Sequence, residues 1–95
     1  DALVAPTTGP AWLTDTAKGD AFPGAGYVAA AVAGYPSLTV PMGSSSGLPL
    51  GITFMGTAWS EPRLIELGYA YEQLTRARKP PENRASAAAQ KSMAP

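Results

Sequence analysis

The chain has 95 residues, enough for one small domain that would bury about 60–65% of the surface its unfolded form exposes. Seven basic and seven acidic side chains cancel, so no net charge points to nucleic acid or an anionic membrane, and no apolar run approaches the ~20 residues of a bilayer span. Cysteine and histidine are both absent, which excludes disulfides, thiolate nucleophiles, Cys-ligated metals and the commonest general base and metal ligand.

The sequence opens at Asp1 in an apolar run, Ala2, Leu3, Val4 and Ala5, that stops at Pro6. A run this short without alternation predicts a strand buried on both faces, as in α/β sheets. No signal peptide is visible, nothing selects between cytoplasm and periplasm, and the start reads as a cut into something longer. PTTGP then breaks the run, and a polar loop punctuated by Gly and Pro extends to about Gly26. Loops of that length are functional or supported by other parts of a protein.

Residues 27–33, YVAAAVA, predict a short helix ended by a left-handed cap at Gly34, and its nearly continuous apolar surface requires a cover. Tyr35 and Pro36 redirect the chain into a strand over 37–40, with Leu38 and Val40 on one face. A second strand over 50–56 puts Leu50, Ile52 and Phe54 on one face. Residues 60–77 predict an amphipathic helix with Ser60 as N-cap and Pro62 in the first turn. Its apolar stripe is Leu64, Leu67, Tyr71 and Leu74, widened by Ile65, Ala70 and Ala77, and Glu72 can pair with Arg76 across one turn. The expected domain therefore covers residues 1–77, an α/β unit, and residues 78–95 form a flexible low-complexity tail.

GSSSG at Gly43–Gly47 is the one stretch that suggests a nucleophile. A serine nucleophile needs a base, and without histidine only lysines or carboxylates remain. Lys18, Lys79 and Lys91 lack the apolar neighbours that would desolvate a catalytic lysine. Small residues between two alternating strands predict a hairpin turn instead. Asp15, Asp20 and Glu61 show no metal-ligand spacing, Gly24, Gly26 and Gly34 do not follow a strand as a nucleotide-binding loop would, and the basic side chains around Arg63 and Arg76 interleave with glutamates as a solvated face. Trp12 and Trp59 read as core or interface anchors.

DALVAPTT, AGYPSLTVPMG, GLPLGITFMG and AWSEPRLIELGYAYEQLTRARKPP, in that order, resemble the C-terminal end of the amidase signature family, the bacterial peptide amidases in particular. The resemblance covers residue 1 to about residue 81. It implies part of a large mixed β-sheet with covering helices, and hydrolysis of carboxamides through a Ser–cis-Ser–Lys triad with a backbone oxyanion hole and neither metal nor organic cofactor. The triad belongs to an earlier part of the family's sequence, so no catalytic residue is expected here. The partners implied are the remainder of the amidase chain and a small amide or peptide-amide substrate. Pro6, Thr7, Thr8, Trp12, Tyr35 and Pro36 match positions that line the substrate cleft in the family. Two alternatives stand beside this reading: a stand-alone structural or binding module, and a Ser/Lys hydrolase acting through GSSSG.

Overall fold

The computed structural model describes residues 1–22 and 24–81. Its elements in chain order are β1 (Leu3–Pro6), α1 (Val28–Ala33), β2 (Ser37–Ser45), β3 (Leu48–Met55) and α2 (Glu61–Thr75). All the predicted elements are present. Of the expected tail, residues 78–81 belong to no helix or strand and residues 82–95 lie outside the described residues.

The three strands form one sheet in the order β1-β3-β2, and β3 is antiparallel to both neighbours. β2 and β3 make a hairpin longer than predicted, because Gly43, Ser44 and Ser45 continue β2 and pair with Leu50, Pro49 and Leu48. The turn is left to Ser46 and Gly47, with φ of 52° and 79°. Two consecutive positive φ angles define the mirror-image turn whose twist matches that of paired strands. The register slips between Pro41 and Gly43, and Gly43 absorbs the bulge at φ 145°.

Alternation along β3 separates two faces. Ile52 and Phe54 lie on the face covered by α2, where Val40, Phe54 and Leu64 form the core with Ala2, Leu38, Leu67 and Tyr71 packed around them. Phe54 and Tyr71 meet edge to face at 5.9 Å. Buried Gly68 lets α2 approach the sheet so closely that an added Cβ would overlap the end of Leu38. Gly51, Thr53 and Met55 lie on the opposite face.

Several local expectations change. Ser60 stands at the N-cap of α2, but its hydroxyl donates to the Thr57 carbonyl at 2.6 Å and leaves the helix amides uncapped. The helix ends at Thr75 and Arg76 is its left-handed cap at φ 45°, its N–H bonding the Glu72 carbonyl at 2.9 Å, and no Glu72–Arg76 ion pair forms among the described residues. Arg63 instead bonds Glu66 at 3.0 Å and Asp1 at 2.8 Å, both on the surface. Leu74 and Ile65 fall outside the buried stripe. β1 is an edge strand rather than a strand buried on both faces: Leu3 is 70% exposed and Val4 54%. In α1, which does end in a left-handed Gly34, only Ala30 is buried, and Val28 and Val32 are exposed.

Leu64 is the most buried core side chain, at 2% exposure, so Leu64→Ala is expected to cost about 2–5 kcal/mol, read as a lowered denaturant midpoint. Ser46→Asn, which suits the left-handed first turn position, is expected to stabilise by about 0.5 kcal/mol, read as a raised Tm.

Candidate functional site

At the C-terminal end of β1 the chain turns into the long loop through Thr7, which is held in three ways. Its N–H donates to the Gly51 carbonyl at 2.9 Å, its carbonyl accepts the Gly26 N–H at 2.8 Å, and its hydroxyl lies 2.7 Å from the Thr53 hydroxyl. Thr53 is fully buried, and its hydroxyl also lies 2.9 Å from that of Thr39. Thr7, Thr53 and Thr39 thus form a chain of hydroxyls on the sheet face opposite the core, with Thr53 at its centre. A buried hydroxyl without a partner would cost about 1–3 kcal/mol.

Two glycines make this geometry possible. A Cβ at Gly51 would sit 2.9 Å from both the Thr39 methyl and the Thr7 hydroxyl, and one at Gly26 would overlap the Pro6 carbonyl oxygen. The loop leaves and returns at this point, where Thr8 and Ala25 form an isolated antiparallel bridge. Within it Trp12 packs edge to face on Phe22 at 5.5 Å. Asp15 closes a turn by accepting the Ala17 N–H at 2.9 Å and the Lys18 N–H at 3.0 Å. Those bonds, the Lys18 amide first and the Ala17 amide second, hold the Asp15 carboxyl below the usual carboxylate range.

A second feature lies at the other end of the sheet. An open, mainly apolar groove of about 550 Å³ is bordered by Leu3, Ala30, Ala33, Tyr35, Met55 and Thr57, among others. The Pro36 carbonyl accepts the Gly56 N–H at 3.2 Å, which holds the entry to β2 against the end of β3.

The six residues expected to line a cleft therefore fall into two groups. Pro6 pairs with Ile52, level with Val40, and Thr7, Thr8 and Trp12 continue from there into the loop. Tyr35 and Pro36 precede Ser37, which pairs with Met55, level with Leu3. Within this chain one group lies at each end of the sheet. Sequence reasoning missed Thr39, Thr53, Gly26 and Gly51. Alternation could have placed Thr39 and Thr53 opposite the apolar stripe, but only the strand register brings their hydroxyls together.

GSSSG forms the end of the β2–β3 hairpin, with Ser46 in the turn and Ser44 and Ser45 in the ladder. Among the described residues no group of three or more acidic side chains converges on a metal-sized site, and no helix is long and apolar enough to cross a membrane.

The sheet, its covering helix and the clamped loop match part of the peptide amidase fold. The chain belongs to the amidase family, whose model, described as Amidase, matches residues 1–65. It is 70% identical to the native peptide amidase of Stenotrophomonas maltophilia, with a TM-score of 0.74 over 86% of this chain and 16% of that one. A peptide amidase solved with the competitive inhibitor chymostatin is 71% identical, with a TM-score of 0.83 over 87% of this chain and 17% of that one. A probable amidase of Arabidopsis thaliana is 53% identical over 55% of this chain and 10% of its own length. A glutamyl-tRNA(Gln) amidotransferase polypeptide of Methanosarcina barkeri is 43% identical over 54% of this chain and 11% of its own length. The chain thus spans between a tenth and a sixth of the proteins it matches. Relatives in a plant and an archaeon mean that family membership does not restrict the source to bacteria.

Because the folded Asp15 carboxyl releases its proton more readily than the unfolded one, its turn is favoured above about pH 3.9 and that contribution is lost as pH falls through the lowered folded value. An NMR titration should place the Asp15 midpoint below the usual carboxylate range, with the Lys18 and Ala17 amide shifts following it; Asp15→Ala should remove that titration.

Proposed function

We propose that this chain is part of an amide hydrolase acting on a terminal or simple carboxamide, with a peptide amide as the most fitting substrate. In the whole enzyme it completes the sheet and forms part of the cleft wall. Water and the carboxamide become a carboxylic acid and ammonia. The serine nucleophile, bridging serine and lysine come from residues outside this chain, where nothing matches them. The reading calls for no metal or organic cofactor. Identity of about 70% across most of the chain to a peptide amidase carries the reading.

The uncovered surfaces support it. Among the described residues β1 leaves one edge of the sheet unpaired, and Leu3, Val4, Val28, Val32 and Trp59 expose apolar area that a self-sufficient domain of this size would bury. The remainder of the amidase chain is the natural cover, and residues 1–77 act as one unit with it. Pro6, Thr7, Thr8 and Trp12 then face the cleft from one end of this sheet segment, and Tyr35 and Pro36 from the other. The GSSSG hairpin takes no part in the chemistry, and the same uncovered surfaces disfavour a stand-alone module.

The test compares ammonia release from a dipeptide amide by the longer polypeptide containing this sequence and by the 95-residue chain alone. The longer polypeptide should hydrolyse the amide and the chain should not. Replacing Ser44, Ser45 and Ser46 together by alanine should leave the rate unchanged. Hydrolysis by the chain alone, or its loss on that triple replacement, would return the chemistry to GSSSG. The isolated chain should also show weak amide-exchange protection or self-association in sedimentation; a protected monomer would favour the stand-alone module.

A further inference from the structure

We propose that Thr53 is a positioning residue that fixes one wall of the cleft without touching substrate. The inference rests on the reading above that Pro6, Thr7 and Thr8 line that cleft. Thr53 is fully buried in the central strand, and its hydroxyl is the only group in the hydroxyl chain that bonds both neighbours. One of those neighbours, Thr7, is the residue from which the long loop leaves the sheet and to which its far end, Gly26, bonds on its return.

The chemistry of a hydroxyl chain makes the centre decisive. Each hydroxyl has one proton to give and lone pairs to receive with, so Thr53 can donate to only one of the two threonines, and it puts its own proton to use within the trio by donating to one and accepting from the other. When Thr39 donates inward, Thr53 donates to Thr7 and the Thr7 proton is free to point toward the loop side. When Thr7 donates inward, it presents only lone pairs there. In either direction the Thr53 hydroxyl holds the Thr7 side chain in one rotamer. It thereby holds the Thr7 carbonyl where the Gly26 N–H meets it at 2.8 Å. Without that hydroxyl the loop keeps its covalent path but loses the side-chain arm of its anchor. Thr39, at the other end of the hydroxyl chain, has no side-chain bond to the described loop residues, so its loss should matter less.

The experiment uses the longer polypeptide that contains this sequence, with a dipeptide amide as substrate and hydrogen exchange as a second readout. Thr53→Val should raise KM about three- to tenfold with kcat little changed, the size expected for one hydrogen bond lost from a positioning contact. The Thr7 and Gly26 amides should exchange about tenfold faster, while the Phe54 amide keeps its protection. Thr53→Ser, which keeps the hydroxyl, should restore both readouts, and Thr39→Val should leave KM near the wild-type value. A lowered Tm with unchanged KM and unchanged loop exchange in Thr53→Val would overturn the proposal and leave a structural role only. So would failure of Thr53→Ser to restore KM, or a rise in Thr39→Val equal to that in Thr53→Val. If Thr53→Val fails to fold, Thr7→Val should reproduce the KM rise, and a wild-type KM there would count against the clamp. An inactive wild-type polypeptide would sink the amidase reading and the cleft role together. An active enzyme with loop amides indifferent to Thr53→Val would sink this inference alone.

Discussion

The double pairing of β3 is the constraint on which the rest of the chain depends. With β1 on one side and β2 on the other, its backbone groups are engaged along both edges where the three strands overlap, and its side chains must then divide between two faces. Ile52 and Phe54 take the face that α2 covers, and Leu64 closes over them. Gly51 and Thr53 take the other, where the missing side chain and the short hydroxyl let Thr7 and Thr39 come within hydrogen-bond distance of a fully buried oxygen. A larger apolar residue at either position would push the loop neck off the sheet. One strand therefore supplies both the core and the anchor of the longest loop.

The distribution of apolar surface is lopsided in a way that bears on function. α2 buries Leu64 and Gly68 but leaves Ile65 and Leu74 in solvent, and α1 buries only Ala30. A three-stranded sheet with a helix packed along only one face offers too little interior for the remaining Val, Leu and Trp side chains. Hydrophobic burial is the main favourable term in folding. The peptide amidases to which the chain is about 70% identical are some five times as long.

Much of this could be read from the residues because it depends on short-range chemistry. Gly34 ends α1 because a left-handed cap is open to glycine at little cost, and the alternation of Leu38 with Val40 and of Ile52 with Phe54 put each pair on one face. The four motifs in order were enough to indicate the family. What was misread involved competition between partners. Ser60 had the right residue type for a cap, but the Thr57 carbonyl took its hydroxyl. Arg76 had a glutamate at the right spacing, but the helix ended beneath it. The apolar run in β1 looked doubly buried because composition alone does not say where a strand sits in its sheet.

By itself, then, the sequence determined the element types, the two faces of β2 and of β3 and the hairpin around GSSSG, since these follow from local periodicity and turn chemistry. Only the tertiary structure decided that Thr7, Thr39 and Thr53, separated by as many as 46 positions, share one chain of hydroxyls, and that the expected cleft residues divide between the two ends of the sheet. The physical reason is register. A strand's pattern says which way each side chain points, but which residue it meets is set by pairing with strands far away in the chain, and a slip of one position would send Thr53 to the opposite face.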